Sequence, residues 1–263
     1  MNKQATTDLA DEFAQSIEGY TPPPFDPTID VFVYGETGAG KTTLVKTLKD
    51  DCLEHDGKCL LLTNDKGEES ILSALYDPDE WLIPREVESV RDIRGAAKML
   101  MNHDHPFRWV ALDDTTRMAG IMNDELKEEF GDDVWGRYQA LNSRFRSLLR
   151  TFRGIDVNSL FLAREGTKAD SDRKTAAFPG KALGEGNDRS SVLHEFTFGF
   201  RMTREHREDQ TDHFYLQTRA TPDAEAKCRD EWHVLEDREA PDISALRKRW
   251  VDAQREQIGQ GSG

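Results

Sequence analysis

No run of 18 apolar residues occurs anywhere in the 263-residue chain, which excludes a helical membrane span. Cysteine is scarce. Cys52, Cys59 and Cys228 are an odd number in no C-x-x-C spacing, so neither a disulfide scaffold nor a zinc ribbon is expected, and a reducing interior is. The first twenty residues lack the basic-then-apolar pattern of an export signal, so a cytoplasmic location is expected. Lysine is sparse as well: 13 Lys stand beside 22 Arg, and these 35 basic residues face 50 acidic ones, for a net charge of −15. Acid-rich, lysine-poor chains are typical of proteins that work in concentrated salt, as in a halophile, where net charge keeps them soluble. An ordinary acidic cytosolic protein is the bland alternative.

The charge is unevenly spread. From Arg137 to Lys181 there are ten basic and four acidic residues, so this segment is +6 and the remainder −21. A surface that attracts polyanions is therefore expected there, despite the acidic total.

The hydrophobic pattern alternates in kind along the chain. Short apolar runs at Val31–Tyr34, Lys58–Thr63, Arg108–Leu112 and Val157–Ala163 have the character of buried parallel strands. Helical spacing appears after Lys41, over Arg91–Asn102, and over Tyr138–Phe152, where Leu141, Phe145, Leu148 and Leu149 share a face. Strands alternating with helices predict an α/β fold with a mostly parallel sheet. Val192–Met202 and His213–Arg219 roughly alternate with period two and predict an antiparallel hairpin at the sheet edge. A last helix is predicted over Asp242–Glu256. The expected organisation is an N-terminal arm and Pro-rich linker over 1–27, a core over 28–232, and a C-terminal helix and tail over 233–263.

Gly35-Glu36-Thr37-Gly38-Ala39-Gly40-Lys41-Thr42-Thr43 matches the phosphate-binding pattern G-x-x-x-x-G-K-[ST]. Its glycines let backbone N–H groups turn inward around phosphates. Lys41 supplies a point charge for the β and γ oxygens, and the Thr42 hydroxyl can ligate Mg²⁺. The motif lies between an apolar strand and a helix, the context that gives it meaning. ATP and Mg²⁺ are the cofactors it implies. Asp113 ends the strand Trp109–Leu112, where a metal-holding Walker-B aspartate sits, and its neighbour Asp114 points elsewhere if the strand continues. Asp65, just past the strand Lys58–Leu62, is the choice for the carboxylate that orients water, ahead of Glu68 and Glu69. His103 and His105 lack a third ligand nearby and are taken as a loop pair.

These residues, taken in order, resemble the small RecA-like P-loop ATPases of tailed phages and archaeal viruses, core-only recombinases associated with single-strand annealing. The resemblance runs from about Asp30 to Trp232. It rests on Gly35–Thr43, Asp113-Asp114, Leu160–Glu165, Phe178–Leu183, Leu216–Arg219 and Ala226–Arg229. It implies a RecA-like ATPase core that assembles as a ring or filament, with ATP between subunits. Lys227 and Arg229 then correspond to the basic pair that reaches a neighbour's phosphates. The stretch Gly166–Gly184 corresponds to the DNA-contacting loop, where Arg173, Lys174 and Lys181 would take phosphates and Phe178 would stack on a base. Where such proteins usually carry glutamate after the second strand, this chain has Asp65, a shorter reach to water. The implied function is an Mg²⁺-dependent ATPase of viral recombination or replication that acts on single-stranded DNA, with an annealing or single-strand-binding protein as a candidate partner. The alternative is an ATP-gated adaptor that binds a protein and little or no DNA.

Overall fold

The structure is a computed structural model. It describes residues 26–64, 71–167, 172–178, 192–206 and 211–260, with side chains to residue 257. Asp65, Glu68, Glu69 and Lys181 lie outside the described residues. In chain order come β1 (Asp30–Gly35), α1 (Lys41–Leu44), a 3-10 turn (Val45–Leu48), α2 (Lys49–Glu54), β2 (Lys58–Thr63) and α3 (Leu72–Leu75). There follow β3 (Leu82–Glu86), α4 (Val90–Asn102), β4 (Phe107–Asp113), α5 (Thr115–Phe130), α6 (Val134–Arg153) and β5 (Asn158–Thr167). The remainder is β6 (Lys174–Ala176), a 3-10 turn (Val192–Glu195), β7 (Phe198–His206), β8 (Asp212–Gln217), β9 (Lys227–Cys228), β10 (Arg238–Glu239) and α7 (Ile243–Gln260).

The strands form one mixed sheet in the order β10-β8-β7-β1-β5-β4-β2-β3, with β6 added to β5 and β9 to β7. From β7 through β3 all neighbours are parallel, and β8 and β10 are antiparallel additions. This is the α/β core of a P-loop NTPase. The central strands are apolar at successive positions because both faces are covered. Phe32, Tyr34, Leu112 and Phe161 pack under α4, α5 and α6. Val31, Val33, Ala111 and Leu162 pack under α1, α2 and α7. The C-terminal segment belongs to this second layer through Leu235, Ile243, Leu246, Trp250 and Val251.

Several expectations needed correction. The predicted single helix after Lys41 is interrupted by the 3-10 turn and ends at Glu54. The hairpin begins at Phe198, because Val192–Glu195 coils into a 3-10 turn whose Val192 and Leu193 are buried. That hairpin lies at one end of the sheet, as expected, with the two-residue β10 added outside Leu216 and Gln217 of β8.

A buried polar cluster fastens both ends of the described chain to the core. Arg247 of α7, only 3 % exposed, donates from Nη1 to Asp51 Oδ1 at 2.9 Å and from Nε to Asn158 Oδ1 at 3.2 Å. It also bonds Asp26 and the carbonyl of Pro27. Asp51 further accepts from Trp109 Nε1 at 2.6 Å and Arg108 Nε at 3.2 Å. The Arg247 and Arg108 guanidiniums hold the Asp26 carboxyl below the usual range, against the upward push of its burial.

Candidate active site

The phosphate-loop motif leaves the C-terminal end of β1 and turns into α1. Gly38 and Gly40 have φ of +80° and +87°, the left-handed region that glycine occupies without strain. Gly35 has a different reason to be glycine: a Cβ there would lie 2.4 Å from the carbonyl oxygen of Met202 on β7. Lys41 Nζ donates to the carbonyls of Gly35 and Glu36, each at 2.8 Å. This holds the ammonium over the loop, and an ammonium has three protons to give. Burial lowers the Lys41 pKa from its usual value, and the Asp113 and Asp114 carboxylates oppose that shift.

Asp113 stands where the sequence placed it, at the end of β4. Its Oδ2 accepts from the Thr42 hydroxyl at 2.6 Å, so the two expected metal ligands meet. Two hard oxygen donors side by side, one anionic, suit Mg²⁺. Asp114 turns the other way. It caps α5, its Oδ1 accepting from the backbone N–H groups of Thr116 at 2.6 Å and Arg117 at 3.2 Å. Its other oxygen accepts from Arg164 Nε at 2.5 Å. Asn64, at the end of β2, clasps the same corner: its Oδ1 accepts from the Asp114 N–H at 3.0 Å.

The motif residues Thr37, Gly38, Gly40, Lys41, Thr42 and Thr43 share a cleft of about 430 Å³ with Asp113, Asp114 and Arg164. Arg164 is the residue the sequence did not single out. It follows the buried run of β5 and ends the pairing of that strand with β1, opposite Gly35 in the register, and its side chain is half exposed. An arginine immediately after a buried strand paired with the P-loop strand is the signal that would have found it.

Lys227 and Arg229 lie elsewhere. β9 pairs with Phe198 and Gly199 at the start of β7, which are level with Val31 and Phe32 of β1. Lys227 is thus three residues short of Gly35 along the sheet, roughly 10 Å, and Arg229 is farther still. Lys227 Nζ donates to the carbonyls of His194 and Phe196, each at 2.7 Å. Burial and then the nearby Arg229 and Arg153 push its pKa down to about 8. Arg229 is exposed. The pair does not touch the phosphate loop of the same chain.

Arg173 and Lys174 are brought together beside β5, where the expected loop is partly a β5–β6 hairpin. The β6 backbone is fixed there by Lys174 N–H to the Asp223 carbonyl at 2.7 Å. Phe178 is not displayed as a stacking platform. It is half-buried, with its ring 5.2 Å from that of Phe145 and 6.2 Å from that of Phe32, because an aromatic beside this core gains more from packing than from water. The +6 segment is also less available than its sum suggests. Arg146, Arg150 and Arg153 all converge on Glu195, at 3.0, 2.8 and 3.5 Å. Hydrogen bonding from Arg150 holds that carboxyl below its usual range.

No curated protein matches the chain. A family model described as an AAA domain matches residues 28–229, a span that takes in the phosphate loop, Asp113, Arg164 and the segment of Lys227 and Arg229. With that coverage, and with the cleft geometry behind it, the chain belongs to this AAA domain family, a family of P-loop ATPases.

Proposed function

We propose that the protein is an Mg²⁺-dependent ATPase of a viral DNA recombination or replication system, acting on single-stranded DNA as a homo-oligomer. The observation that carries the ATPase reading is the convergence of Lys41, the Thr42–Asp113 pair and Arg164 on one cleft. Mg²⁺ bound there would neutralise charge on the phosphates, and Thr42 and Asp113 would hold it. Lys41 trades its loop carbonyls for β and γ phosphate oxygens. Arg164 swings from Asp114 to the γ-phosphate, which its half-exposed position leaves room to do, and adds charge stabilisation where it develops. Asp114 keeps its backbone donors, so the α5 cap survives that exchange.

The placement of the second basic pair supports assembly. Lys227 and Arg229 are too far down the sheet to serve their own cleft, and a neighbour's cleft is the site that suits them. Arg173, Lys174 and Lys181 supply phosphate contacts for DNA. The acidic total charge and the packed Phe178 favour the adaptor reading as the runner-up. ATP turnover with and without oligonucleotide separates the two. Single-stranded DNA should stimulate turnover several-fold, and Lys41→Ala should abolish it. Turnover indifferent to DNA, in a protein that retains no oligonucleotide, would leave the adaptor.

A further inference from the structure

Outside the cleft, the surface between α4 and α6 has an unusual lining. A groove of about 390 Å³ runs between the two helices. Arg94 and Lys98 stand one helical turn apart on α4, and Arg144 faces them from α6, beside the hydroxyls of Ser143 and Ser147. None of its nine lining residues is a carboxylate, in a chain where acids outnumber bases 50 to 35. Arg94 and Lys98 are exposed and make no ion pair among the described residues. Arg144 is held by Glu129 through two bonds at 2.7 and 2.6 Å, on a pair that is itself at the surface.

We propose that the α4–α6 groove binds the phosphate backbone of a single nucleic-acid strand. The inference rests on the DNA reading above, and it adds a second contact surface to that of Arg173 and Lys174 at the β5–β6 hairpin. From Arg94 to Met101 the lining runs about 10 Å, room for a short stretch of one strand's phosphate backbone. Guanidinium, ammonium and serine hydroxyl are the groups that take phosphate oxygens. No aromatic ring lines the groove, so binding there is indifferent to base sequence. The arginines of α6 nearer its end, Arg146, Arg150 and Arg153, are engaged by Glu195, whereas Arg94 and Lys98 face solvent.

The test is fluorescence anisotropy of a labelled 20-nucleotide oligothymidylate with the full chain over a salt series. Arg94→Ala/Lys98→Ala should flatten the slope of log affinity against log salt by about 1.4, two contacts at ~0.7 each. Glu129→Gln should tighten binding, because it releases Arg144 to the strand, and a misfolded variant cannot mimic that gain. Unchanged thermal melting of the double variant confirms that the fold persists. Wild-type slope and affinity in the double variant, with the parent protein binding DNA, would overturn the groove and leave the DNA reading standing. A parent protein that ignores the oligonucleotide at every salt but binds polyglutamate, with the double variant losing that binding, would overturn both in favour of an acidic protein partner.

Discussion

Arg164→Ala separates sensing of the third phosphate from holding of the fold. In the structure the guanidinium spans from β5 to Asp114, at 2.5 Å. Asp114 is nearly buried, yet two backbone N–H groups also serve it. Losing the arginine therefore costs about 1–2 kcal/mol, the lower part of the range for a hydrogen bond to a charged group, because half the guanidinium is already in water. For a chain of this length the unfolding entropy is roughly 0.55 kcal/mol per kelvin, so Tm should fall by about 2–4 °C. The effect on nucleotide is larger and selective. A charged hydrogen bond to the γ-phosphate contributes about 1.5–3 kcal/mol, so ATP should bind about ten- to a hundredfold more weakly. ADP lacks the group Arg164 addresses, and its Kd should stay within about twofold. Isothermal titration with each nucleotide measures both numbers on one protein. If ATP and ADP weaken equally, Arg164 acts only by bracing the corner at Asp114. If neither weakens while Tm falls, it is a structural ion pair and the proposed exchange is refuted.

Two further outcomes follow from the buried charges. Arg247→Met keeps the aliphatic stem but leaves Asp51 short of a cation; with Arg108 and Trp109 still in place, the loss should be about 3 kcal/mol, or roughly 5 °C in Tm. Turnover per folded molecule should be unchanged, and a melting point within a degree of the parent would show that Arg108 alone suffices. Burial, then the nearby Arg229 and Arg153, push the Lys227 pKa down from the ordinary 10.5 to about 8. The unfolded chain thus binds more protons between those values, and stability should rise as pH climbs from about 8 towards 10.5. Urea unfolding midpoints across that window test it, with Lys227→Met expected to lose the rise and a flat parent profile counting against the assignment.

The phosphate loop, Asp113 and the central strands were legible because each is local: glycines at fixed spacing, an acid after an apolar run. What escaped was set by contacts distant in sequence. α5 carries its buried face on Met118, Ala119, Met122 and Leu126, a weak stripe followed by an acidic stretch. β3 contains Pro84, which argues against a strand except at an edge, and an edge is where β3 sits. Arg164 lies in the stretch Leu160–Glu165, but nothing local marks its role; it matters because β5 is inserted between the strands that carry Gly35 and Asp113. The charge sum over Arg137–Lys181 misled for the same reason. Glu195, outside that window, folds back on three of its arginines.

The position of β9 has a consequence for stoichiometry. A subunit that receives at its cleft and donates from the far end of the sheet has two unlike faces, so under the proposed assembly its contacts are head-to-tail, without two-fold symmetry. An open chain of n subunits then completes only n − 1 clefts, whereas a closed ring completes all n. Specific activity per subunit in a filament would climb with length and saturate, and short oligomers would be penalised most: a dimer would run at half capacity. In a ring the same quantity would switch on at closure and stay level. The concentration dependence of turnover thus carries information on the geometry of assembly before any image of it is taken.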